Sequence, residues 1–253
     1  MSLINKITSG TVGGLVGGII PVDKLSLSIL FNPSDDGFAI DFTTADGLFQ
    51  DSSFTTPVTA SNDLVGGARD ESGNGNDYIQ ATTSNKPEWI EGEGVQSIDA
   101  GDLLGNTFGA TLSDFTVIAY FEDVGAATTS HVIFRAIINS NNEARMMKDA
   151  SNNFITYTRY SGITNSASGG SISDGADYTA VSRYNDTSGQ VYCQLNDNTP
   201  GTSTRTLSSN YGTDHRILEN YFAPLHRIIV IDRALSDDEA ENAKTMVLDG
   251  WAS

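Results

Sequence analysis

Carboxylates, amides and arginines are the groups in this sequence whose spacing could support chemistry. Asp70-Glu71-Ser72-Gly73-Asn74-Gly75-Asn76 offers oxygen ligands at alternating positions, as the first half of a calcium loop does. The twelfth position is Ala81, where a helix–loop–helix calcium site needs a bidentate Glu. What remains is either an Asp/Asn loop holding calcium through Asp70 and Asp77, or a plain Asn/Gly turn. Glu88, Glu91 and Glu93 come nearest to the paired carboxylates of a glycosidase, which must flank the scissile bond. Pro87, Gly92 and Gly94 make that segment turn-like, and Glu91 and Glu93 would share a face only in an extended strand. His131, His215 and His226 are scattered, with no i, i+4 pair and no nearby cysteine, so zinc chemistry has no support. No Gly-x-Ser-x-Gly elbow occurs, and Gly13 to Gly18 lacks the lysine of a phosphate loop. Sugar sites combine an aromatic platform with planar hydrogen-bonding side chains. Tyr157, Arg159 and Tyr160 on one strand, with Arg183 and Tyr184 on another, supply such groups. Half of them must face a core, and the alternate set Tyr157, Arg159 and Arg183 is the candidate glycan surface.

The elements that must position these groups are almost all strands. Phe38, Ile40 and Phe42 alternate with Ala39 and Asp41, and the same period runs through Phe115 to Glu122 and Val132 to Ile138. Asn153 to Tyr160 and Asp177 to Tyr184 are further strands, the latter joined to Val191–Leu195 by a hairpin loop at Asn185 to Gly189. Spacers rich in Asn, Ser and Gly, such as Thr164 to Gly170, are expected between them. Leu225 to Asp232 is an apolar run of β period. It leads into one helix, whose start has Ser236 and Glu239 in capping-box spacing and Asp237 and Asp238 at the positive end of the helix dipole. Capping also accounts for the carboxylate cluster Asp237, Asp238, Glu239 and Glu241. Ala240, Ala243 and Val247 share a face, and Gly250 is placed to end the helix.

The formal charge is −18, from 14 basic and 32 acidic residues, which opposes binding to nucleic acid and to anionic membrane surfaces. Cys193 is the only cysteine, so no intrachain disulfide forms, and its alternation with Val191 and Leu195 marks it as a small core residue. The N-terminal stretch Thr8 to Ile20 differs from the rest, mixing glycine with Val12, Leu15, Val16, Ile19 and Ile20. It is too short to span a membrane and too rich in glycine for a stable helix. Residues 1–24 are read as a docking arm that orders against a partner through Leu15, Val16, Ile19 and Ile20, the alternatives being a frayed tail or a membrane-active peptide. Residues 25–253 are read as a single all-β domain, an antiparallel β-sandwich with one short C-terminal α-helix.

Four segments in this order resemble the concanavalin A-like, laminin-G-like sandwich family: Asp70 to Asn76, Asp114 to Tyr120, the hairpin Tyr178–Val181 through Gly189–Tyr192, and Ile228 to Glu241 with its Arg-Ala-Leu-Ser-x-x-Glu helix start. Asp46-Gly47-Leu48-Phe49-Gln50-Asp51, Thr55 to Val58 and Lys86-Pro87 are similar to the lead-in of such domains in bacteriophage structural proteins. The resemblance implies a jelly-roll sandwich and a non-enzymatic virion protein, a fibre, spike or decoration component. Its partners would be host-surface glycans and, through the arm, other virion proteins. It implies no cofactor except calcium at the Asp70 loop, a location on the virus particle, and a homo-oligomer, for which a trimer is the natural expectation. A polysaccharide-degrading enzyme with an atypical site and a purely structural module are the alternatives.

Overall fold

The computed structural model describes residues 24–98, 103–105, 112–123, 130–173, 175–204, 211, 214–221 and 223–252. The arm residues Leu15, Val16, Ile19 and Ile20 lie outside them. In chain order the strands begin with β1 (Gly37–Asp41), β2 (Leu48–Phe49), β3 (Gly67–Ala68), β4 (Tyr78–Ile79), β5 (Glu88–Ile90), β6 (Gly94–Gln96) and β7 (Leu103–Gly105). The longer strands follow: β8 (Phe115–Glu122), β9 (His131–Asn139), β10 (Asn142–Lys148), β11 (Asn153–Tyr160), β12 (Ile163–Ser171) and β13 (Asp177–Asn185). The last are β14 (Gln190–Leu195), β15 (Gly201–Thr204), β16 (Asp214–Glu219) and β17 (Leu225–Ile231), before the helix α1 (Asp237–Asp249). They form two antiparallel sheets. One has eight strands in the order β15-β14-β13-β8-β17-β6-β5, with β1 also paired to β17. The other has nine, β12-β11-β10-β9-β16-β7-β4-β3-β2.

Alternation places one set of side chains from each sheet between them. Phe38, Phe115, Phe121, Tyr184 and Val230 meet Phe134, Ala144, Met146, Phe154 and Ile217 in the main core. The strands β8 and β17 read as nearly continuous apolar runs because their other face is buried too. Ile118, Ile229 and Ile231, with Ala39 and Val181, pack against Leu235, Ala240, Ala243, Met246, Val247 and Trp251. The helix therefore roofs the outer face of the eight-stranded sheet.

The helix begins as its sequence dictates. The Glu239 N–H donates to Ser236 Oγ at 3.3 Å, and the Ser236 N–H donates to the Glu239 carboxylate at 2.8 Å. Gly250 ends it at φ +77°, a conformation that favours glycine. No basic residue lies in its last turn. The guanidinium of Arg227, reaching over from β17, donates instead to the carbonyls of Val247 and Leu248 at 3.1 and 3.0 Å. Beyond the helix, Ala252 donates to the Leu25 carbonyl at 3.0 Å and bridges in parallel to Ser26.

Two features were not foreseen. Thr164 to Gly170, expected as a spacer, lies within strand β12, paired to β11 along its whole length. Its small side chains suit an edge where the two sheets converge: a Cβ on Gly201 of β15 would stand 1.9 Å from the Ser168 carbonyl oxygen. The second is a buried ion pair tying the sheets together. Lys148 Nζ, at the end of β10, lies 2.7 Å from Asp123 just past β8, with the two side chains 1% and 0% exposed.

Candidate functional site

The inward set Phe134, Ala136, Ala144, Met146, Phe154 and Ile217 leaves the alternate residues of β9, β10, β11 and β16 on the outer face of the nine-stranded sheet. Cross-strand register pairs Arg216 with Arg135, Arg135 with Arg145, and Arg145 with Tyr157. Four neighbouring strands thus present Tyr157, Arg145, Arg135 and Arg216 as one row. The next row runs Arg159, Glu143, Ile137 and Asp214.

Like charges directly opposite one another destabilise a sheet, so the arginine row needs carboxylates. Glu143 lies 2.7 Å from Arg135 and 2.8 Å from Arg145, and its side chain is 2% exposed. Glu219 takes the other side of Arg135 at 2.7 Å, and Asp214 holds Arg216 at 3.1 Å. Burial would favour the neutral form of Arg135, but Glu219 and Glu143 outweigh it and raise its pKa. The guanidinium of Arg145 stands 5.6 Å from the centre of the Tyr157 ring, a cation–π contact that fixes both. The result is a preorganised polar surface of forked donors beside an aromatic ring.

Tyr157 and Arg159 both belong to this face, while Tyr184 is buried and stacks on Phe115 at 4.0 Å. Arg183 also faces outward, but from the other sheet. It lies over the Tyr192 ring at 3.7 Å, donates to the Leu235 carbonyl at 2.9 Å and pairs with Asp237 at 2.7 Å, beside a separate hollow at the helix start. The three glycan candidates therefore do not form one site. Alternation tells which residues leave a core; it does not tell which sheet a strand joins.

The Asp70 loop closes on its own carboxylates. Asp70 accepts from the N–H groups of Ala39, Ser72 and Asn76, and Asp77 accepts from the Asp70 N–H and from Arg69. Asn76 donates to the Gly37 carbonyl at 2.7 Å, so the loop braces the first strand. Among the described residues no three His, Cys, Asp or Glu side chains are grouped as a metal ion would need. Glu91 and Glu93 occupy the exposed turn between β5 and β6 and share no strand face. The histidines lie apart on β9, β16 and β17, His226 packing at a tilt against Tyr120 and approaching Asp177 at 3.3 Å. Arg135, Arg145, Glu143, Arg216 and Glu219 belong to no motif. Their signal in the sequence is only the presence of charged residues within strands that otherwise carry apolar side chains.

No protein-family model matches the chain, and a comparison with curated proteins gives no match. Solved structures do match. A Trypanosoma rangeli sialidase superposes over 88% of this chain and 34% of its own, with TM-score 0.55 and 13% identity. The chain thus spans about a third of that enzyme. The Ruminococcus gnavus IT-sialidase module CBM40 bound to alpha2,3 sialyllactose matches over 53% of this chain and 84% of its own, with TM-score 0.44 and 13% identity. The binding domain of Botulinum Neurotoxin DC in complex with SialylT matches over 58% and 39%, with TM-score 0.48 and 9% identity. At such identities the likeness is one of fold.

Proposed function

We propose that this chain is a non-enzymatic glycan-binding module carried on a bacteriophage particle and tethered there by residues 1–24. The observation that carries the glycan part is the contrast between the two outer faces. One is roofed by α1, whereas no described helix packs on the other, which bears Tyr157 beside a row of arginines. An aromatic ring flanked by fixed planar donors suits a sugar, whose faces are apolar and whose edges are hydroxyls. A sialidase shares the fold, but a shared fold is an analogy, and the site must carry the function. Binding without catalysis is supported by the carboxylates of this face. Glu143, Glu219 and Asp214 each spend their oxygens on an arginine, so none of them is placed to flank a glycosidic bond as a paired acid and base must.

The tether is supported by where Ser26 and Leu27 sit. Ser26 and Leu27 lie on the helix side, so the polar face points away from the point of entry. A glycan array probed with the full chain tests the first part: binding is expected, and Tyr157→Ala should abolish it while leaving the melting temperature near that of the parent. No glycan bound, or reducing sugar released from host polysaccharide, overturns it. Deleting residues 1–20 tests the second: the domain should fold, but incorporation into particles should be lost or the oligomer should dissolve.

A further inference from the structure

We infer that Arg159 is the anion-binding member of this face and that the glycan it takes is acidic, carrying a carboxylate. This rests on the glycan reading of the face and names its ligand class. With 32 acidic residues against 14 basic ones, carboxylates are abundant. The other seven described arginines, residues 69, 135, 145, 183, 216, 227 and 233, each hold one within 3.1 Å. Arg159 alone among the described arginines holds none. It stands directly opposite Glu143 in the β10–β11 register, yet both Glu143 oxygens are turned to Arg135 and Arg145. Its Nη1 donates to the Ser140 carbonyl at 2.8 Å, and its Nε is buried with no protein acceptor. The charge, Nη2 and the second hydrogen of Nη1 are therefore what Arg159 leaves uncommitted beside Tyr157.

A planar fork of this kind matches a carboxylate through two parallel hydrogen bonds. The surroundings fit the remainder of a sugar. Ser166 of β12, exposed and opposite Tyr157, offers a hydroxyl, and the exposed Thr164 stands opposite Arg159. The net charge of −18 opposes a polyanion but weighs little against a single carboxylate. Distant charges are screened beyond about 8 Å at physiological ionic strength, so the nearest group decides.

The test uses the full chain on an array of carboxylated oligosaccharides printed twice, native and with the carboxyl reduced to an alcohol. Binding to native copies, weaker by at least tenfold on reduced ones, is expected. Arg159→Met should lose at least tenfold on native copies with its melting temperature unchanged, and Arg159→Lys should retain part of the binding. Equal binding to both copies overturns the acidic ligand and leaves glycan binding standing, as does Arg159→Met binding like the parent. Binding to neither copy, nor to neutral glycans on the same array, overturns both.

Discussion

Single residues do two different jobs in this fold, and they differ in how visible they are beforehand. Cys193 is buried, as its alternation with Val191 and Leu195 requires, and desolvation pushes its thiol up to about 11. The helix cap is equally local: Ser236 and Glu239 are three positions apart and meet. By contrast, Arg135 and Glu219 are 84 positions apart, and Lys148 and Asp123 are 25 apart at the ends of strands of different sheets. Their pairing follows from sheet order, which spacing does not encode. Lys148 and Asp123 also show what breaking a buried pair does. Lys148→Met leaves an unpaired buried carboxylate and should cost about 3–5 kcal/mol in urea denaturation. Adding Asp123→Leu should recover most of that loss, because the second charge then leaves the interior as well. A double variant no more stable than the single one would refute the buried pair.

Among the elements, the strands with an apolar period and the helix were legible, and the polar edge was not. Strand β12 reads as a spacer because small polar residues dominate it, yet smallness is what the converging sheets demand there. Gly201→Ala would drive a methyl group into the Ser168 carbonyl, and overpacking of this kind costs about 1–3 kcal/mol. A Gly201→Ala protein as stable as the parent would mean that the sheets part at that edge. The helix makes its own prediction. Ser236→Ala should destabilise by about 0.5–2 kcal/mol. Burial alone would raise the Glu239 carboxyl, but the Ser236 N–H and hydroxyl and the Arg233 guanidinium outweigh it and hold it below its ordinary value of 4.5. A carboxyl lowered by folding stabilises the protein fully above its unfolded pKa and less as pH falls through the folded one. Glu239→Gln should therefore narrow the difference in stability between pH 6 and pH 3, as read by thermal melts.

At the scale of the molecule, the sandwich and its terminal helix followed from pattern alone, while the composition of its outer face did not. Tyr157 and Arg159 were recognisable one strand at a time. The row that joins Tyr157 to Arg145, Arg135 and Arg216 exists only once four strands are in register. The backbone bond between Ala252 and Leu25 has a topological consequence. Residues 25–252 form very nearly a closed ring, joined where Leu25 meets Ala252. A short Gly/Ser linker from 252 to 25 should therefore close it without strain. New ends opened between Thr187 and Ser188, both exposed in the hairpin after β13, should leave the sheets intact. Such a circular permutant is expected to melt in one cooperative step within a few degrees of residues 24–253. The face bearing Tyr157 and the arginine row would then hang from a hairpin instead of from the helix side, so the direction in which that face points from a fused partner becomes a matter of where the ring is cut.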